Sequence, residues 1–434
     1  MYLKDYLYTI YSQYSIMSTP TNMFKPSMSR AVPDAPRAQP PLAKDPNVVD
    51  EEPEPVKVID KWDEMELPED VLRGIYAYGY EEPSPIQKRA ICPMMSGSDL
   101  IAQAQSGTGK TATFSIGSMT RIVLAKKHVQ VVCLAPTREL TMQIAAVYQG
   151  IGLFLTGLKV TTLVGGESVD ENMRSLKRDV PHVVIGTPGR VFDMIRRRAL
   201  VLKHVQTFIL DEADEMLSHG FKEQVQDIFE YMSESVQTCI FSATMPAYIF
   251  DVTNKFMKNP IQIIVKAEQL TLEGISQHYI AVRDDVEKYE VLIDLYASIS
   301  VGHCIIYANS VSRVHDLHQA MLADGYPVCS IHSSMTKQER EISMGDFRSG
   351  KCRMLISSNV TARGIDVQQV SCVINFDIPR DISTYLHRIG RSGRWGRKGM
   401  GLNLITERDV EKMREIEQYY STQITELPSE LSNV

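Results

Sequence analysis

From Trp62 onward, short apolar runs alternate with amphipathic stretches. The runs predict strands at 99–103, 130–135, 182–186, 207–210 and 238–242. Helical periodicity between them predicts helices at 139–151 and 190–198. The pattern pauses near 266–276 and then restarts. Further strands are expected at 304–307, 328–331, 353–357, 372–376 and 402–405, with helices at 285–298 and 313–323. Strands alternating with helices build β-α-β units and a parallel sheet. The expected fold class is therefore α/β, as two parallel sheets flanked by helices and joined by a short linker. The boundaries read as an N-terminal extension 1–57, a first domain 58–266, a linker 267–275 and a second domain 276–434. The polar motifs cluster just after the apolar runs. Ligands of open parallel sheets bind outside the carboxyl ends of the strands, so each domain should present one functional edge.

Composition supports this division. The chain has 434 residues, too many for one ordinary domain. Its apolar and charged fractions are those of a globular protein. No run approaches the roughly 18 apolar residues of a membrane span, so no membrane is expected. The net charge is −7, which excludes a generally basic nucleic-acid binder and leaves room only for a local basic track. Seven Cys, with no CxxC pair, sit mostly in apolar contexts, among them Cys133, Cys239, Cys304 and Cys372. They read as reduced buried thiols of an intracellular protein, with no zinc-ligand spacing. Residues 1–16 are rich in tyrosine and lack the features of a secretory signal or a transit peptide. One expectation is that translation starts at Met17 or Met23. Residues 18–57, rich in Pro, Ser, Asp and Glu, read as disordered.

Two motifs carry the chemistry. Residues 104–111, A-Q-S-G-T-G-K-T, follow a predicted strand and precede a helix. This is phosphate-loop spacing, with Ala104 in place of the first glycine of the strict pattern. Glycines let backbone N–H groups approach phosphate oxygens, and the next helix adds its positive end. Lys110 is placed for the β- and γ-phosphates, and Thr111 offers its hydroxyl to Mg²⁺. Asp211, Glu212, Ala213 and Asp214 follow the apolar run 208–210. Beside a phosphate loop, Asp211 is expected to hold Mg²⁺, partly through water. Glu212 is expected to orient or deprotonate the attacking water. Without that loop, the same acids would serve equally well as a helix cap.

Further strings narrow the reading. They are P-T-R-E-L at 136–140, T-P-G-R at 187–190, S-A-T at 242–244, A-R-G-I-D at 362–366 and H-R-I-G-R-S-G-R at 387–394. With the acidic quartet they resemble the DEAD-box ATP-dependent RNA helicases, in family order, from Trp62 to the C-terminus. Within that family the chain resembles the translation initiation factor 4A group. The strings behind this are G-I-Y-A-Y-G-Y, E-L-P-E-D-V-L-R, L-D-E-A-D-E-M-L and L-T-L-E-G-I. F-D-M-I-R-R-R and I-E-Q-Y-Y-S-T-Q-I look more like the nuclear exon-junction paralogue.

The resemblance implies two RecA-like domains that close on ATP and single-stranded RNA. Tyr80 would stack on adenine and Gln87 would hydrogen-bond its edge, with Trp62 where the group usually has Phe. Gln105, Ser106, Gly107, Thr108, Gly109, Lys110 and Thr111 would cradle the phosphates, and Asp366 would contact ribose. Arg391 and Arg394 would reach the γ-phosphate from the second domain; their spacing is that of one helical turn. Asp214, Ser242, Thr244, Arg363 and His387 would couple nucleotide state to closure. RNA contacts would come from Pro136, Thr137, Arg138, Gly165, Gly166, Thr187, Pro188, Gly189 and Arg190, and from Arg340 and Ser358. These are mostly backbone-presenting positions, so little base preference is expected. The run Arg196, Arg197, Arg198, with Lys203 nearby, reads first as a solvated helix end and second as added attraction for RNA.

Two residues depart from the group's pattern. Lys337 stands where it usually has Gln, in a Q-x-x-R element, and Asn359 stands where it often has Asp. The function this resemblance implies is RNA-stimulated ATP hydrolysis coupled to local unwinding of short RNA duplexes, in translation initiation or mRNA processing. One rival is an ATP-gated RNA clamp of exon-junction type with little turnover; another is a DNA helicase. The implied partners are RNA and helix-repeat scaffolds of the initiation factor 4G type. The protein is expected to be monomeric and cytoplasmic or nuclear.

Overall fold

In this computed structural model the described residues are 57–434, except 105–106, 218–219, 247–248, 250–255, 264–274, 299–301, 362–368, 393–398 and 429–434. The proposed extension 1–57, apart from Lys57, and most of the proposed linker lie outside them, as do Gln105, Ser106, Arg363, Asp366 and Arg394. Among the described residues no helix is long and apolar enough to cross a membrane.

The first sheet holds β1 (Leu100–Gln103), β2 (Val131–Leu134), β3 (Val160–Leu163), β4 (Val183–Gly186), β5 (Thr207–Asp211), β6 (Gln237–Ser242) and β7 (Ile261–Ile263). Their spatial order is β3-β4-β2-β5-β6-β1-β7, and every pairing is parallel. The second sheet holds β8 (Ile275–Ala281), β9 (His303–Tyr307), β10 (Val328–Ile331), β11 (Met354–Ser357), β12 (Val370–Asn375), β13 (Gly399–Ile405) and β14 (Thr425–Glu426). Its order is β10-β11-β9-β12-β13-β8-β14, again all parallel. The two RecA-like sheets expected from the sequence are therefore present.

Successive strand residues point to opposite faces, and both faces of the first sheet are covered. Leu100, Ala102, Val131 and Cys133 enter one core, packed with Ile91, Phe114 and Tyr148. Ile101, Val132, Leu134 and Phe208 enter the other, packed with Met194, Val225 and Ile228. Burial on both faces explains why the central strands are continuous apolar runs in the sequence. In the second sheet Ile305, Tyr307, Leu355 and Val373 build a comparable core with Phe347, Tyr385 and Ile416.

Two expectations need correction. Cys92, Cys133, Cys239, Cys304 and Cys372 are free thiols, but Cys329 and Cys352 form a disulfide. Parallel pairing of β10 with β11 brings that pair together, which no local sequence spacing reveals. The helix preceding Arg391 is Ile382–Ile389, capped at Gly390. Arg391 therefore lies in the turn beyond it rather than on a helix, and Arg394 lies outside the described residues.

Candidate functional site

Strand β1 ends at Gln103, and the chain turns through Gly107 and Gly109 into the helix Lys110–Met119. Gly107 and Gly109 have φ of 82° and 98°, a left-handed conformation that side chains rarely adopt. A Cβ on Gly109 would also lie 2.6 Å from Gln87 Nε2. The Gln87 amide links two segments: it accepts from the Ser84 N–H at 2.7 Å and donates to the Gly109 carbonyl at 3.4 Å. Tyr80 is half-buried beside Tyr78, with ring centroids 5.2 Å apart, and burial pushes its phenol up to about 12. Trp62 is 1% exposed and packs inside the first core. It is a core aromatic here, in the cluster against which Tyr80 packs.

Lys110 opens the helix and is buried. Its ammonium donates to the Ala104 carbonyl at 2.7 Å. Asp211 ends β5, also buried, and its Oδ1 accepts from the Glu212 N–H at 3.0 Å. Burial and the neighbouring Glu212 charge push the Asp211 carboxyl up to about 7, with Lys110 pulling the other way. A buried acid held partly protonated in this way suits a divalent cation, whose charge would restore the carboxylate. Hard oxygen donors, Asp211 and the Thr111 hydroxyl, match Mg²⁺. Glu212 follows with φ 53° and ψ 51°. A non-glycine residue in that region is strained, and the strain turns the chain sharply between strand and helix.

The second domain meets these acids directly. Thr244 Oγ1 donates to Asp214 Oδ2 at 2.7 Å, and His387 Nε2 lies 2.8 Å from the same oxygen. The Asp214 N–H points at Ser242 Oγ, 3.4 Å away. His387 Nδ1 is 3.9 Å from Glu212 Oε2, and none of these side chains is open to solvent. Arg391, 4% exposed, donates from Nε to the His387 carbonyl at 3.2 Å. The predicted coupling residues Asp214, Ser242, Thr244 and His387 thus converge in one buried network that joins the two sheets.

The residues predicted for RNA line the carboxyl ends of both sheets. Thr137 caps the helix Arg138–Ile151, its Oγ1 accepting from the Leu140 N–H at 3.2 Å, and Pro136 is buried beside it. Arg138 donates to the Gly165 carbonyl at 3.4 Å and reaches Glu341 of the second domain at 3.4 Å. Gly165 and Gly166 are exposed, with open space where a Cβ would stand. Thr187 precedes the helix Pro188–Arg196, whose first turn carries the exposed Gly189. Arg190 is held by Asn172 and by the Glu167 carbonyl. From the second domain, Arg340 binds Glu139 at 2.8 Å and Lys337 reaches Glu167 at 3.4 Å. Ser358 is buried, with no partner for its hydroxyl among the described residues. Arg196, Arg197 and Arg198 are exposed, and Arg197 pairs with Asp193, as a solvated helix end would.

Sequence reasoning missed a buried arginine. Arg388 is fully enclosed between Asn309, Asn359, Asn375 and the Asp377 carbonyl, at 2.7 to 3.1 Å. Burial lowers its guanidinium to about 10. The departure at Asn359 is one of its partners, so that residue bears on how the His387 helix is held. Arg388 lies inside the H-R-I-G-R string, but nothing local marks it as enclosed.

Comparison with known proteins places this geometry. Residues 84–252 match the family model for the DEAD/DEAH box helicase, and 287–396 match that for the helicase conserved C-terminal domain. A Caenorhabditis elegans protein named eukaryotic initiation factor 4A is 50% identical over 378 residues, covering 87% of this chain and 94% of that protein. The Saccharomyces cerevisiae ATP-dependent RNA helicase eIF4A is 51% identical over 378 residues, covering 87% of this chain and 95% of that protein. Among solved structures, S. cerevisiae Dbp5 bound to RNA and ADP BeF3 superposes with a TM-score of 0.80 at 33% identity, covering 85% of this chain and 96% of that chain.

Proposed function

We propose that this chain, which belongs to the DEAD/DEAH box helicase family and within it to the initiation factor 4A type, is an RNA-stimulated ATPase that locally separates short RNA duplexes during translation initiation. The observation that carries this reading is the buried meeting of Asp214, Thr244 and His387, which ties the acidic end of β5 to the second domain. An ATP site split between two domains turns over only when both are in place.

In this reading the domains are 58–266 and 276–434, joined by 267–275. Tyr80 and Gln87 hold the base. Gln105 to Thr111 hold the phosphates, Lys110 gives up its carbonyl partner for phosphate oxygens, and Asp366 contacts ribose. Asp211 and Thr111 hold Mg²⁺, which when bound neutralises phosphate charge. Glu212, fixed by its strained backbone, orients a water and accepts its proton. Arg391 and Arg394 bring positive charge to the phosphoryl oxygens from the second domain. Pro136, Thr137, Arg138, Gly165, Gly166, Thr187, Pro188, Gly189, Arg190, Arg340 and Ser358 track one RNA strand by its backbone. Arg138 and Arg340 already lie on the cleft, where RNA phosphates replace carboxylates as their partners. Arg363 joins the coupling network. An initiation factor 4G type scaffold, a monomeric chain and an intracellular setting complete the proposal.

The test is ATP turnover with and without single-stranded RNA; no stimulation by RNA would sink the reading. Glu212→Gln should abolish turnover while ATP still binds, and normal hydrolysis by that variant would remove Glu212 from its role. The relatives named above carry the initiation-factor name, which favours turnover over a static clamp.

A further inference from the structure

The amino edge of the first sheet carries charge that the ATP site and the cleft do not use. Its strands begin side by side. The His182 N–H donates to the Lys159 carbonyl at 2.9 Å, the Gln130 N–H to the His182 carbonyl at 2.8 Å, and the Gln206 N–H to the Gln130 carbonyl at 2.8 Å. Segments 126–130, 157–159, 177–182 and 196–206 therefore share the edge where β2, β3, β4 and β5 start. They expose Lys126, Lys127, Lys159, Arg196, Arg198 and Lys203, with Lys177 and Arg178 at the end of the helix Val169–Arg178. Asp179 is the one carboxylate in these segments, and it pairs with Lys159. Over the whole chain 53 acids outnumber 46 Lys and Arg, so this edge runs against the overall charge. The rings of His128 and His204, with centroids 4.7 Å apart, bring two of the loops together. Burial holds the His182 imidazole below its ordinary value, and the charges of Lys159 and His128 push the same way.

Helix ends account for only part of this charge. Cations at a helix C-terminus complement its negative end, as Lys177, Arg178 and Arg196 do. Lys126, Lys127, Lys159 and Lys203 stand outside every helix. Arg198 is held at φ 56°, with its N–H on the Ile195 carbonyl at 2.8 Å and the Ala199 N–H on the Met194 carbonyl at 2.9 Å. Glycine closes such a turn at least cost, so an arginine there gives up stability and keeps a charge. Leu200, Leu202 and Val205 are buried, which leaves Val201 as the exposed large apolar side chain of 196–206. An acidic peptide would find charge here but little apolar surface to bury. Four adjacent strand ends at about 4.8 Å each spread the cations along the edge, as suits a chain of phosphates rather than a single anion.

We propose that the amino edge of the first sheet is a second RNA-backbone surface, which docks the flank of an RNA whose other part occupies the cleft. The choice of RNA as the polyanion rests on the function proposed above. Contacts made by lysine and arginine to phosphates are sequence-independent and salt-sensitive. Strands β2 and β5 run four and five residues, so the two edges lie roughly 15 Å apart along the strands. That exceeds the Debye length of about 10 Å at 0.1 M salt, so charge on one edge is largely screened from RNA on the other. An added flank of about 20 nucleotides reaches roughly 70 Å even at about 3.4 Å per nucleotide, enough to pass from one edge to the other.

The experiment titrates the full chain, with a hydrolysis-resistant ATP analogue, against labelled oligouridine of about 10 nucleotides and the same strand extended to about 30. Fluorescence anisotropy is read over a series of salt concentrations, and ATP turnover is measured with each RNA. The fall of log affinity with log salt should be steeper for the extended strand, by about 0.7 for each added phosphate contact. Lys126→Glu, Lys127→Glu and Lys203→Glu together should weaken the extended strand at least about tenfold near 0.1 M salt and return its slope to that of the short one. Short-strand affinity and turnover should stay as they were, which also shows that the variant folds. Arg198→Gly should melt at a higher temperature yet bind the extended strand about two- to threefold more weakly. Equal affinity of wild type and the triple variant for the extended strand overturns the proposal. Polyglutamate that displaces the extended strand as well as unlabelled RNA does overturns the assignment to RNA, in favour of an acidic protein. Cation-dependent binding of the extended strand with no stimulation of turnover by either RNA keeps the surface and sinks the proposed function.

Discussion

The two sheets have the same strand order, counted within each domain, yet only the first carries a phosphate loop. The difference lies in what fills the space beyond the first strand. In the first domain, Lys110 opens the helix after β1, donates to the neutral Ala104 carbonyl and acts on Asp211 through its charge. In the second, the helix after β8 carries Lys288, 3% exposed, which lies 3.5 Å from Asp409 and 3.8 Å from Asp377. Arg313 then bridges Asp377 and Asp285. One copy of the fold keeps a cation whose partner a phosphate can displace. The other copy spends its cations on its own carboxylates and becomes a docking wall. A shared fold therefore does not imply a shared site; the partner of one lysine separates the two.

Swapping attention between those lysines gives the largest effect. Lys110→Ala should lower ATP turnover by at least about 100-fold with the fold intact. Lys288→Ala should leave nucleotide affinity alone and cost about 3 kcal/mol of stability, because it removes a buried cation shared by two carboxylates, leaving Asp377 to Arg313 and Asp409 to Thr406. Nucleotide titration and chemical denaturation of both variants check the contrast; nucleotide loss in the Lys288 variant would break it. Next, His387→Ala removes the buried link from the second domain to Asp214. RNA-stimulated turnover should drop by about 5- to 150-fold while ATP affinity changes little, as measured by steady-state kinetics beside equilibrium binding.

Asp211 gives a pH dependence with a definite sign. Its folded carboxyl lies at about 7, raised from 3.8 by burial and Glu212, so folding favours its protonated form. The native state binds this proton more tightly than the unfolded chain does. The destabilisation is therefore absent below pH 3.8, grows as pH rises and is complete above about 7. Asp211→Asn should stabilise the ligand-free protein at pH 8 by at least about 1 kcal/mol, and the gain should vanish near pH 4. Thermal melts across that range test it, and a gain independent of pH would remove the carboxyl as the cause. In the second domain, Asn359→Asp sets a carboxylate against Arg388 and should add about 1 kcal/mol at neutral pH. Denaturation midpoints would show it; an unchanged midpoint would mean Arg388 needs no charged partner. The smallest effect is Lys337→Gln. Its pair with Glu167 is part-exposed and worth at most about 1 kcal/mol. RNA retention should therefore change by less than about fivefold, and the change should shrink further at high salt.

What the sequence reveals follows from what is local. Central strands such as Val131–Leu134 are buried on both faces, so their apolar runs are visible without a structure. The phosphate loop and acidic quartet are contiguous and equally visible. Strand Val160–Leu163 was missed because half-buried threonines interrupt its apolar run. Thr425–Glu426 is too short to show a period, and in Ile275–Ala281 three consecutive polar residues, Ser276 to His278, break the apolar run. In the site, the Arg340–Glu139 and His387–Asp214 pairs join residues far apart in the chain. The left-handed turn at Glu212 is a property of its surroundings, since glutamate has no preference for it. The Arg388 enclosure likewise gathers partners from several strand ends.

One short strand has a consequence at the rim. The second sheet stops, on the side of its first strand, at the two-residue strand Thr425–Glu426, both residues exposed. A long, flat outer strand would offer a row of unpaired backbone groups to any passing chain. A two-residue terminus gives such a chain too little template to zip onto. Thr425 and Glu426, both exposed, add little to the core, and so short an edge disfavours joining of molecules edge to edge.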